Sequence, residues 1–96
     1  MSRPIAKEDS VEELLVRRVR ALGGRCEKMA MKGRRGFFDR LVVLPGNRVI
    51  FVECKRPVGG RLSPHQISLH ATYKALGAVT CVVKNSVDID ALLSDR

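Results

Sequence analysis

From Val11 to Leu22 the apolar residues Val11, Leu14, Leu15, Val19 and Leu22 recur at intervals that place them on one side of a helix. Ser10 followed three places later by Glu13 fits a capping box, and Gly23-Gly24 supplies a stop. The pattern predicts an amphipathic helix from Ser10, or from about Lys7, to Leu22, with Arg17, Arg18 and Arg20 largely off the apolar stripe. "RCEKMAM" alternates weakly and predicts a short edge strand, and "KGRRGFF" interrupts it with a glycine-rich basic loop. "RLVVL", the turn Pro45-Gly46-Asn47 and "VIFVEC" then predict an antiparallel hairpin. Ser63 as N-cap and Pro64 at the first helical position open a second helix, with Ile67, Leu69, Tyr73 and Leu76 as its apolar positions and Gly77 at its end. "AVTCVVK" reads as a strand, and "NSVDIDALLSDR" as a terminal helix capped by Asn85 or Ser86. The order α-β-β-β-α-β-α describes an α/β domain, a sheet flanked by helices.

Length adds that residues 1–96 form a single domain, because a chain of this size has material for only one core. An apolar share of 45% and a charged share of 29% exclude a disordered chain. Charge changes the picture more: 18 Lys and Arg against 10 Asp and Glu give a net charge of +8. That excess favours a polyanionic partner, since neutralised phosphates release counterions. With three Phe, one Tyr and no Trp, stacking platforms for single strands are a poor explanation of binding. Cys26, Cys54 and Cys81 are widely spaced in strand-like surroundings and read as buried reduced thiols, with neither zinc spacing nor a disulfide framework. His65 and His70 are five places apart, about 500° around a helix, which does not make a metal-binding pair. No signal peptide or membrane span is visible, so the expected compartment is the cytoplasm of a bacterial or phage-infected host cell.

The predicted hairpin carries charges where an apolar strand would not need them. Glu53 and Lys55 are two apart and share a face, while Cys54 points to the other. Pairing symmetric about Gly46 sets Asp39 beside Glu53, so two carboxylates meet at the open end of the hairpin. Such a pair repels unless a proton or a cation intervenes. A hard divalent ion such as Mg²⁺ suits one or two carboxylates plus a substrate phosphate, and Lys55 could orient the attacking water and stabilise phosphate charge. Asp, Glu and Lys in this arrangement are what phosphodiester hydrolysis requires; the structural alternative is a solvated pair of charges at a strand end.

An aspartate, thirteen intervening residues and then Glu-Cys-Lys across a hairpin resembles the PD-(D/E)xK nuclease superfamily, whose restriction endonuclease-like core has the same α-β-β-β-α-β order. More narrowly, "VEELLVRRVRALGG", "KGRRGFFDRLVVLPG", "VIFVECKRP" and "LSPHQISLHATYKALGA" resemble, in order, the VRR-NUC domain in its minimal stand-alone form from phages and bacteria. The resemblance runs from about Val11 to Val83 and implies a mixed sheet and a nuclease using Mg²⁺ or Mn²⁺, with stand-alone members acting as homodimers on branched DNA such as Holliday junctions. It implies that Asp39 and Glu53 bind metal, that Lys55 serves the attacking water, and that Gln66 completes the site from its helix. Aligning on "LLVRRVRALGG" selects Glu12 rather than Glu13 as the helix carboxylate and third metal ligand. The family usually carries proline before the aspartate, and here Phe38 stands there, a departure that bears on the loop more than on the chemistry.

Two of these residues have structural readings of their own. Gln66 lies three places after Ser63 and fits a capping box, and Glu12 suits the electropositive first turn of its helix. Lys32, Arg34, Arg35 and Arg40 are candidates for gripping DNA phosphates beside the carboxylates, and Arg56 and Arg61 flank the same place. A symmetric junction needs two opposed cuts from a domain with one site, which a two-fold homodimer supplies most simply.

Overall fold

The computed structural model describes residues 8–30 and 36–94. The basic loop with Lys32, Arg34 and Arg35 lies outside the described residues. Among the described residues the order is α1 (Glu8–Ala21), β1 (Arg25–Lys28), β2 (Arg40–Leu44), β3 (Arg48–Cys54), α2 (Pro64–Ala75), β4 (Val79–Val83) and α3 (Ser86–Leu93). This is the predicted order. Two details of α1 differ. It already runs from Glu8, so Ser10 sits inside the helix rather than at its cap, a position a serine tolerates when its hydroxyl is not called on to end the helix. It ends at Ala21, and Leu22 is turned outward and half exposed just before Gly23, whose φ of +82° reverses the chain.

The strands form one mixed sheet in the order β1-β2-β3-β4, antiparallel across the first two pairings and parallel between β3 and β4. β1 is an edge strand, as its weak alternation predicts. The hairpin register pairs Leu44 with Arg48 and Arg40 with Val52, which is symmetry about Gly46. Gly46 and Asn47 both adopt positive φ, the conformation that Gly and Asn accept at least cost.

Helices cover both faces. On one, Val11, Leu15 and Val19 of α1 and Ile89 and Leu92 of α3 close over Val42, Ile50, Val52, Cys54 and Val83 to make the main core. Arg48 ties this layer down by donating from Nη2 to the Leu92 carbonyl at 2.8 Å, at the end of α3 where carbonyls lack helical partners. On the other face, α2 packs through Gln66, Leu69, His70 and Tyr73. Ile67 and Leu76, expected among its apolar anchors, are 57% and 79% exposed. Two polar residues occupy the buried stripe instead because the sheet beneath offers them partners: Glu53 for Gln66, and the Thr80 hydroxyl, 3.2 Å from Nδ1, for His70.

Candidate active site

The site forms where the β2–β3 ladder runs out. Beyond the Arg40–Val52 pair, Asp39 still bonds its neighbours on both sides, donating its N–H to the Val52 carbonyl at 3.0 Å and accepting from Met29 N–H at 3.0 Å. Its carboxylate then does what a further backbone acceptor would have done: Oδ2 accepts from the Cys54 N–H at 2.8 Å. Across from it, Lys55 extends the parallel ladder, its N–H donating to Val83 at 2.9 Å. Backbone pairing therefore fixes Asp39, Glu53 and Lys55 relative to one another before any side chain chooses a rotamer.

Glu53 is 2% exposed, unusual for a carboxylate, and such burial is tolerated only with partners. Its Oε2 accepts from Gln66 Nε2 at 2.9 Å, and Lys55 Nζ stands 3.6 Å from the same oxygen. Both readings of Gln66 hold at once. Its Oε1 accepts from the Ser63 N–H at 3.0 Å and its own N–H donates to Ser63 Oγ at 3.2 Å, which closes the capping box, while Nε2 serves Glu53.

Cys54, on the opposite side of the strand, senses these charges. Burial pushes its thiol far above the ordinary range, and the nearby charges of Asp39, Glu12, Cys26 and Glu53 push the same way. Glu12 is thus electrostatically linked to the hairpin end, but its direct partners are cations: Oε2 accepts from Arg40 Nε at 2.7 Å and from Lys28 Nζ at 3.3 Å. Arg40 also donates to the Cys26 carbonyl at 3.2 Å, so this candidate phosphate contact is tied to α1 and β1. Glu13 is exposed beside it. Arg56 and Arg61 are exposed on the connector between β3 and α2. Arg18 is paired with Asp90, in keeping with a helix face outside the site.

Among the described residues, no three His, Cys, Asp or Glu side chains cluster as a ready-made metal cage. A hard cation of the Mg²⁺ type does not need one, because it keeps several waters and takes one or two protein carboxylates. Asp39 and Glu53 fit that demand: both offer oxygen, and Asp39 bonds the backbone of Val52 and Cys54, on either side of Glu53.

Two glycines shape the surroundings. A Cβ on Gly60 would stand 2.3 Å from the Arg56 carbonyl oxygen and 3.0 Å from Lys55 Cβ, so the connector folds back on Lys55 in a way only glycine permits. Gly36, with φ +70°, stands close against α2, where an added Cβ would lie 2.6 Å from the His65 ring. The Gly59-Gly60 pair is visible in the sequence as a turn, but its contact with Lys55 is not. No sequence signal joins Gly36 to His65.

The chain is 45% identical over 89 residues to "Putative nuclease p44" of Acyrthosiphon pisum secondary endosymbiont phage 1, a match covering 93% of this chain and 94% of that one. It superposes on a solved VRR-NUC domain with a TM-score of 0.84 and 35% identity, over 92% of this chain and 95% of the other. The chain belongs to the VRR-NUC family. A scan against models of protein families finds none that matches. Coverage this complete means that the VRR-NUC likeness is one of the whole domain, not of an isolated motif. No helix among the described residues of this VRR-NUC chain is long and apolar enough to cross a membrane.

Proposed function

We propose that this VRR-NUC chain is a DNA endonuclease that hydrolyses phosphodiester bonds with Mg²⁺ or Mn²⁺, acting as a homodimer on branched DNA such as a Holliday junction. The observation that carries the reading is the hairpin end, where a buried Glu53 is held by Gln66 and Lys55 while Asp39 bonds the backbone on either side of it, at Val52 and Cys54. Structural ion pairs seldom sacrifice this much solvation without need; active sites commonly do. The net charge of +8 supports a nucleic-acid substrate, and Arg56 and Arg61 are exposed on the connector that leaves the Glu53 strand, free to meet phosphates.

In this reading Asp39 and Glu53 hold the cation. A bound divalent ion supplies polarisation of a phosphoryl oxygen and a more acidic water. The chain's own residues do the rest. Gln66 fixes the Glu53 carboxylate, Lys55 orients the attacking water and offsets charge gathering on the phosphate, and the Cys54 amide keeps Asp39 from rotating away. Glu12 already spends Oε2 on Arg40 and Lys28, which makes it a weaker contributor than the hairpin pair.

The test is cleavage of a labelled four-way junction and its matching linear duplex with Mg²⁺, Mn²⁺ or EDTA, by wild type and Glu53→Gln. The expected result is junction cutting only with metal, and a mutant that binds without cutting. Equal cutting of both substrates would replace the branched preference with duplex or flap nicking. Equal binding by both proteins with no cutting of any substrate would leave a basic DNA-binding module. Sedimentation of the free protein and of its junction complex checks the dimer.

A further inference from the structure

A glutamine amide in isolation has no preferred sense: its oxygen and nitrogen ends exchange by a half-turn, and only partners at both ends choose between them. Gln66 has such partners, and they come from two different parts of the chain. At one end Oε1 accepts from the Ser63 backbone N–H at 3.0 Å, and at the other Nε2 donates to Glu53 Oε2 at 2.9 Å. The Ser63 hydroxyl closes the loop by accepting from the Gln66 N–H at 3.2 Å. A flipped amide would face the Ser63 N–H with its own donor and the buried Glu53 with an oxygen, losing both bonds.

We propose that Ser63 is a positioning residue for the active site, its capping box with Gln66 fixing the sense of the amide that holds the buried Glu53 carboxylate. This rests on the nuclease reading of that carboxylate. Helix initiation and site assembly are then one event: the first turn of α2 forms with Gln66 locked, and the locked amide reaches the buried Glu53 carboxylate on β3. The tight approach of Gly60 to Arg56 and Lys55 brings the connector, and with it Ser63, back over the strand end. Residues outside a ligand carboxylate that hold it by hydrogen bonds typically govern activity by about 10–100-fold. Ser63 acts one bond further out, so the lower end of that range applies.

Ser63→Gly is the informative variant: glycine is nearly as good an N-cap as serine and keeps the backbone N–H that faces Oε1, but it deletes the hydroxyl that pins the Gln66 N–H and with it the cap geometry that holds this backbone donor against the amide. Ser63→Thr keeps the hydroxyl. On the junction substrate, Ser63→Gly should lower kcat about tenfold with KM little changed, Ser63→Thr should restore it, and Ser63→Gly should add nothing in a Gln66→Ala background. A second readout needs neither metal nor cleavage: hydrogen exchange of the Gln66 side-chain NH₂ by ¹⁵N NMR should be slow in wild type and Ser63→Thr and fast in Ser63→Gly. Unchanged exchange together with unchanged kcat in Ser63→Gly overturns the proposal, and so does a lowered Tm as its sole effect. If wild type cuts no DNA, the nuclease reading fails, and amide exchange alone then decides: loss of protection upholds the link from Ser63 to Glu53, and retained protection overturns it.

Discussion

Replacing Phe38 by Ala should unfold much of what α2 contributes, because this ring joins the site's layer to the sheet. Phe38 is 1% exposed, and its ring centroid lies 4.7 Å from His70, 5.1 Å from Tyr73, 5.1 Å from Phe51 and 5.3 Å from Phe37. Truncation leaves a hole its neighbours cannot close: Phe51 is fixed by β3 and its pairing with Leu41, and His70 and Tyr73 ride on one rigid helix. A buried Phe→Ala change of this kind costs about 3–5 kcal/mol, a large part of the roughly 5–15 kcal/mol that holds a small domain together. At about 4–8 °C per kcal/mol for a domain of this size, Tm should fall by at least about 12 °C. The chain has one Tyr and no Trp, so near-UV circular dichroism reports Tyr73 inside the cluster while far-UV signal reports the fold. With a urea slope of about 1–3 kcal/mol per molar, the midpoint should drop by about 1 M or more. Phe38→Leu, which keeps most of the volume, should lose clearly less. Phe38→Pro, which installs the residue usual in the family, should fare no better than Ala, since it also deletes the ring. A loss below about 1 kcal/mol with the Tyr73 signal intact would refute the role of Phe38 in seating α2.

Asp39→Asn keeps an oxygen to accept from the Cys54 N–H and should melt close to wild type, whereas Asp39→Ala strands that amide at a cost of about 1–3 kcal/mol; denaturant melts separate them, and both should lose about 100-fold or more of junction cleavage. His70 is pushed below the ordinary histidine range by burial first and by Lys74 second. The unfolded chain therefore takes up this proton first, so its contribution to stability is present above about pH 6.5 and is lost as pH falls through the lower folded value. Melts from pH 7.5 to 5 should show this slope in wild type and a flatter one in His70→Gln. Gly60→Ala, whose new Cβ would press on the Arg56 carbonyl and Lys55, should lower kcat more than it lowers Tm, measured by cleavage and calorimetry on the same preparation.

The sequence by itself determined the element order, the hairpin register and the two capped helices, because each rests on contacts between residues near in sequence. Symmetry about Gly46 already set the hairpin register as far as Arg40 and Val52, which brings Asp39 to the strand end that carries Glu53, and Ser63-Pro64 already marked the start of α2. The tertiary structure decided the rest. Ile67 and Leu76 are apolar and exposed, while Gln66 and His70 are polar and buried, because what lies under a helix depends on the sheet it lands on, here Glu53 and Thr80. Nothing local in the sequence joins Arg40 to Glu12, 28 positions away, and only the packing of α1 on the sheet pairs them. Gln66 looked like a choice between cap and site, and folding removed the choice, since one amide has two ends and α2 places a partner at each. Local patterns fix what the backbone does within a few residues; which polar group meets which carboxylate is settled only when distant elements pack and each buried charge must find its partner.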